Sequence, residues 1–255
     1  METMTRADIC FMADPWPPEP ERVTLIFIHG STMSKTFWEP QMASLSRQFN
    51  TMALDLPGHG QSPGDGFDQM ASYTEAVMNW MEEVNPPGMV PCGLSLGGAV
   101  ALDLMLCYPE RFEAGILIST GARLRVMPLI FEAIKKDFNE FGETLGMAGI
   151  SPANQSRDMT ELVKKQVQCP AEVALKDFKA CDAFDVMARL SHIQKPVLII
   201  SGNDDTTTPP KYADYLARKI PLARLEKIAG AAHLVPLEKP DQVNAVITDF
   251  LSESR

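Results

Sequence analysis

The sequence predicts an α/β fold, a mostly parallel central sheet flanked by helices, with a helical insertion after the sixth strand. Three observations predict it. Short apolar runs at 23–28, 51–56, 89–92, 112–119 and 196–202 alternate with longer segments of helical spacing, and alternation without hairpin signals argues for parallel strands joined by right-handed crossovers. The runs are apolar throughout instead of alternating with polar residues, as strands covered on both faces require. From about 123 to 193 the alternation stops, and only helical segments at 131–141, 159–167 and 171–184 appear. The expected organisation is therefore a core of residues 1–122 and 194–255, with 123–193 forming a helical cap.

The first 21 residues offer one possible strand near 9–13, then Pro15-Trp16-Pro17-Pro18-Glu19-Pro20, an extended segment because proline removes backbone donors. Val23-Thr24-Leu25-Ile26-Phe27-Ile28 is a buried strand ending in His29-Gly30. Trp38, Met42, Leu45 and Phe49 recur at helical spacing. The strand at 51–56 then runs into Asp55-Leu56-Pro57-Gly58-His59-Gly60-Gln61-Ser62, a Gly-rich turn. Residues 70–84 read as a helix stopped by Pro86-Pro87-Gly88. Beyond the insertion, the strand at 196–202 is followed by a helix at 210–220, a last strand at 223–228 and a terminal helix at 241–251.

Composition bounds the chemistry. A chain of 255 residues with 45% hydrophobic and 22% charged residues can bury one sizeable core. The net charge of -10, without a Lys/Arg cluster, argues against a nucleic-acid partner. Five widely spaced cysteines read as free thiols. The N-terminus lacks a signal-peptide pattern and no apolar run reaches membrane-spanning length, so a cytoplasmic protein without a membrane partner is expected.

The chemistry centres on Cys92-Gly93-Leu94-Ser95-Leu96-Gly97-Gly98. This Gly-x-Ser-x-Gly stands where a strand turns into a helix, so the serine hydroxyl is thrust above the sheet by a turn too tight for side chains at Gly93 and Gly97. A serine needs a base. Of four histidines, His233 follows the last strand in the small-residue loop Gly230-Ala231-Ala232-His233 and is the candidate, the alternative being a surface-loop histidine. An acid must hold that imidazole; Asp205 is the candidate and Asp204 the runner-up, both directly after the strand at 196–202 and in the chain order Ser, Asp, His. Two N–H donors must face a developing oxyanion. Leu96, at the helix N-terminus, supplies one, and the loop after His29-Gly30 the other, most simply Ser31, with Thr32 possible.

Together His29-Gly30, the 55–62 turn, Gly93-Leu94-Ser95-Leu96-Gly97-Gly98, Gly202-Asn203-Asp204-Asp205-Thr206-Thr207-Thr208-Pro209 and Gly230-Ala231-Ala232-His233 resemble the α/β-hydrolase superfamily over 23–251. The family's Gly-x-x-Asp-x-x-x-Pro segment matches Gly202, Asp205 and Pro209, which favours Asp205. The resemblance implies structural roles for His29 and His59. By size and cap it points to the esterase, enol-lactonase and carbon-carbon hydrolase branches. It therefore implies a small ester or lactone substrate cleaved through an acyl-enzyme at Ser95, without metal or organic cofactor; a carbon-carbon hydrolase of a diketone-like acid and a non-catalytic ligand sensor are the alternatives. Little room precedes Val23, so the family's N-terminal antiparallel strands are expected to be reduced. Thr32, Met127, Phe131, Phe138 and Phe141 are the expected pocket residues. Arg123 and Arg125 read as a solvated pair, a contact to a substrate carboxylate being the alternative.

Overall fold

The computed structural model describes residues 1–253. Eight strands, β1 (Glu2–Arg6), β2 (Ile9–Asp14), β3 (Thr24–Ile28), β4 (Asn50–Leu54), β5 (Met89–Leu94), β6 (Gly115–Ile118), β7 (Val197–Gly202) and β8 (Ala223–Ile228), form one sheet in the order β1-β2-β4-β3-β5-β6-β7-β8. From β4 to β8 all neighbours are parallel, and only β1 and β2 are antiparallel to theirs.

The expected reduction of the N-terminal strands does not occur. β1 and β2 pair over five positions, closed by a two-residue turn in which Ala7 (φ 43°) and Asp8 (φ 59°) are both left-handed. Such a turn matches the natural twist of a hairpin and consumes only two residues. Both strands therefore fit before Pro15. The usual sequence signal for this turn is Gly or Asn, which this hairpin lacks.

The strands are apolar because both faces are covered. In β3, Ile26 and Ile28 belong to one core cluster, and Leu25 and Phe27 to the other. On the first side lie α2 (Met70–Val84), α3 (Leu96–Cys107) and α8 (Pro210–Lys219), on the second α1 (Glu39–Leu45), the short α9 (Val235–Glu238) and the terminal α10 (Pro240–Glu253). Each aliphatic side chain so enclosed contributes about 1.5–3 kcal/mol. α3 is buried on nearly every side and has no polar stripe, which explains why its sequence shows little amphipathic periodicity.

Between β6 and β7 lie four α-helices, α4 (Pro128–Lys136), α5 (Phe138–Ala148), α6 (Arg157–Lys164) and α7 (Ala171–Ala183). This insert has a small core of its own, where Ile134, Phe141 and Ala174 are buried among Phe138, Leu145 and Phe178. α5 and α6 cross closely because Gly142 and Gly146 present no side chain to Val167 and Val163; a Cβ on Gly146 would run into Val163 Cγ1. Among the described residues, no helix is long and apolar enough to cross a membrane.

Candidate active site

The loops leaving the carboxyl ends of β3, β5, β6, β7 and β8 converge, the position at which open α/β sheets bind ligands. Ser95 connects β5 directly to α3 with φ 54° and ψ -115°, a left-handed backbone costing a non-glycine residue about 1–3 kcal/mol. Three hydrogen bonds hold it there. Its N–H donates to the Ile118 carbonyl at 3.0 Å, and its carbonyl accepts from Ala99 N–H at 3.0 Å and from the Thr120 hydroxyl at 2.8 Å. The flanking glycines are steric requirements: a Cβ on Gly93 would collide with the Gly97 carbonyl, and one on Gly97 with the Ile28 carbonyl.

Asp205 stands just past β7 and is buried. Its Oδ1 accepts the backbone N–H groups of Thr207 at 2.8 Å and Thr208 at 2.9 Å, while Oδ2 accepts the Thr208 hydroxyl at 2.8 Å and faces His233 Nδ1 at 2.9 Å. Burial opposes the charge on Asp205, but His233 and the Thr208 donors outweigh it and hold the carboxyl below its usual range. Asp204 points elsewhere, accepting the Ser151 hydroxyl at 2.7 Å. The His233 loop approaches because Gly202 ends β7 without a side chain; a Cβ there would meet the Ala231 and Ala232 carbonyls. Glu238, on α9, fixes the same loop by accepting Ala232 N–H at 2.7 Å.

Ser95 and His233 line one cavity of about 60 Å³, together with Ser31 and Thr32 of the loop after β3. The insert closes it with Gly142, Leu145, Gly146, Gly149, Val163, Gln166, Val167 and Phe178. Among the described residues, no group of three His, Cys, Asp or Glu side chains is arranged to hold a metal ion.

Residues 25–246 match the Alpha/beta hydrolase family. The chain belongs to that family. It is 28% identical to a pimeloyl-[acyl-carrier protein] methyl ester esterase of Nitrosomonas europaea, across 86% of this chain and 91% of that one. The solved structure of a thermophilic esterase is 30% identical, with a TM-score of 0.80 over 96% of this chain and 94% of the other. The enol-lactonase of Burkholderia xenovorans LB400 shares the fold at a TM-score of 0.87, with 22% identity and 96% coverage of both chains.

In this hydrolase, His29 and His59 are built into the scaffold. Leu56 N–H donates to His29 Nε2 at 3.0 Å, which leaves Nδ1 as the protonated nitrogen, donating to the Gly30 carbonyl at 2.8 Å. Burial, with the adjacent His59, lowers the His29 pKa to about 3. His59 is the opposite case. Nδ1 faces the Pro57 carbonyl at 3.2 Å and Nε2 faces Asp177 at 2.9 Å, so both ring nitrogens meet acceptors and the ring is an imidazolium. Burial works against that charge, but the Asp177 carboxylate, with help from Cys169, carries the pKa up to about 10. Asp55 is likewise structural: it accepts from the Lys35 backbone N–H at 2.7 Å, Lys35 Nζ at 2.5 Å and Gln61 N–H at 2.8 Å.

Of the pocket residues expected from sequence, Thr32 lines the cavity. Met127, Phe131, Phe138 and Phe141 lie outside its lining: Met127 is 66% exposed, and Phe138 and Phe141 pack on each other at 6.3 Å between ring centres. For Phe138 and Phe141 the reason is the α5–α6 crossing, which turns the glycine face of α5 to the cavity while Phe141 packs on Phe178 of α7. Arg123 and Arg125 border a separate surface groove with Lys211 and Arg218, and Arg123 Nε lies 3.5 Å from Asp185. Thr120, Thr208 and Asp177 escaped the sequence reading. Thr208 stands between Asp205 and Pro209, where a hydroxyl three residues after the acid is a signal of a donor to it; Asp177 lies inside a helix whose sequence carries no such signal.

Proposed function

We propose that the protein is a serine hydrolase that cleaves a small ester or lactone through an acyl-enzyme at Ser95. The observation that carries this reading is the junction of Ser95 and His233 on one cavity, with His233 Nδ1 held 2.9 Å from Asp205. Asp205 accepts a hydrogen bond from Nδ1–H and so keeps the proton on that nitrogen, which leaves the Nε2 lone pair free to serve as the base. Ser95 Oγ attacks the carbonyl carbon as its proton passes to Nε2. The resulting oxyanion is met by the backbone N–H groups of Leu96, at the positive end of α3, and Ser31. His233 then returns the proton to the departing alkoxide, and the alcohol, or the tethered hydroxyl of an opened lactone, leaves Ser95 acylated. A water that gives its proton to Nε2 repeats the sequence and frees the acid.

Residues 123–193 act as a cap on a core of 1–122 and 194–255, and the cap side chains choose the substrate. The names of the relatives, a methyl ester esterase, a thermophilic esterase and an enol-lactonase, support the ester and lactone class. The Ser95→Ala protein tests the reading: it should keep its circular dichroism and melting temperature while losing hydrolysis of p-nitrophenyl butyrate by about 10⁴-fold or more. Unchanged turnover by that variant would refute it.

A further inference from the structure

Gln166 sits in the turn after α6, is 6% exposed, and is the one polar side chain that the insert contributes among the described residues lining the Ser95 cavity. Its Nε2 donates to the Leu162 carbonyl at 3.4 Å, which sets the orientation of the amide. Oε1 is then left buried with no partner. Buried acceptors are nearly always satisfied in folded proteins, so an orphan acceptor carried by a residue of the cavity wall points to a ligand donor. The neighbouring walls, Leu145, Val163, Val167 and Phe178, offer none. No lysine or arginine lines the cavity either, so a carboxylate on the acyl group would meet an acceptor and lack a counter-ion.

Resting on the reading of Ser95 as nucleophile, we infer that Gln166 is a specificity-determining residue and that the acyl group it selects is uncharged and armed with a hydrogen-bond donor, a hydroxyl or an amide N–H. A site built to bond a polar group rejects the analogue that lacks it more strongly than an apolar pocket rejects a methylene, because the analogue leaves the acceptor unpaired.

The test uses matched methyl esters in which a hydroxyl replaces a methyl group of equal size: 2-hydroxypropanoate against 2-methylpropanoate, and 3-hydroxybutanoate against 3-methylbutanoate. In the wild-type protein at least one hydroxy ester should exceed its partner by about tenfold in kcat/KM. In Gln166→Leu, or in Gln166→Met should the first variant fold poorly, that ratio should fall to one or below. Ratios at or below one for both pairs in the wild type, or a ratio that survives in the variants, would overturn the inference. Labelling of Ser95 by a fluorophosphonate separates the two levels. A labelled Ser95 with no hydroxyl preference removes the selectivity alone, whereas no labelling, with full turnover by Ser95→Ala, removes the reading of the site and this inference with it.

Discussion

Asp177, carried on α7 of the insert, accepts the backbone N–H of Thr32 at 3.0 Å. The same carboxylate accepts the Tyr73 hydroxyl at 2.6 Å and pairs with His59, while the Thr32 carbonyl accepts Gln168 N–H at 2.8 Å. Thr32 is left-handed at φ 68°, and both of its backbone groups are thus held by the insert. The neighbouring Ser31 N–H, proposed as an oxyanion donor, inherits its position from that clamp. On the opposite rim, Glu238 accepts Ser151 N–H at 2.8 Å and Asn154 Nδ2 at 2.7 Å, so the insert is anchored beside the His233 loop as well.

Asp177→Asn should lower kcat for p-nitrophenyl butyrate by about 10–100-fold, because a displacement near 1 Å in a catalytic group is worth about 10²-fold. KM should change little, since Thr32 is positioned by Asp177 while the insert's apolar walls remain. Steady-state kinetics check this; an unchanged kcat would contradict the clamp.

The His59–Asp177 pair also predicts a pH signature. The His59 pKa is raised in the folded protein to about 10, above the ordinary 6.5, so the folded state binds the proton more tightly than the unfolded chain. Its contribution is complete below the unfolded value, declines as pH rises above it, and is gone above about 10. Groups facing the ring are Asp177, Cys169 and His29, with Tyr73 on the far side of the carboxylate. Urea unfolding at intervals from pH 6 to 10 should show this loss in the wild type and a shallower one in Asp177→Asn. Parallel curves would contradict the charged state of His59.

Asp205→Asn should cut kcat by about 10⁴-fold with the fold intact, since an amide no longer fixes the His233 tautomer. Thr208→Val, which removes one donor from Asp205 Oδ2, should cost about 1 kcal/mol of stability and a smaller part of kcat. Because Asp205 is held below its usual range, its stabilisation is present above the ordinary carboxylate value and is lost as pH falls through the lower folded one. Acid unfolding of Thr208→Val should accordingly begin at higher pH than in the wild type.

Gly146→Ala sets two effects against each other. Alanine in a helix interior gains about 1 kcal/mol over glycine, but the added methyl would collide with the branched, stiff Val163, and overpacking costs about 1–3 kcal/mol. The collision should win by about 1 kcal/mol in urea denaturation. A gain equal to the helix propensity would mean that α5 and α6 separate freely.

The catalytic candidates were legible because each lies in a local backbone context that leaves a sequence trace. Ser95 needs Gly93 and Gly97 beside it, Asp205 follows Gly202, and His233 closes a small-residue loop. The cavity wall was not legible. Aromatic residues on α5 suggest a lining, but the glycines opposite them decide which face turns inward, and that depends on Val163 and Val167 across a helix crossing. Asp177 was equally hidden, since Thr32, His59 and Tyr73 lie 145, 118 and 104 residues away in sequence.

A covalent intermediate on Ser95 is what the proposed mechanism most directly requires. Wild-type protein mixed with p-nitrophenyl butyrate, quenched in acid within the first turnovers and digested for mass spectrometry, should carry a butyryl group on the peptide containing Ser95. The Ser95→Ala protein should carry none. Continued turnover with no acyl group on that peptide, or with the group on another residue, would contradict the account.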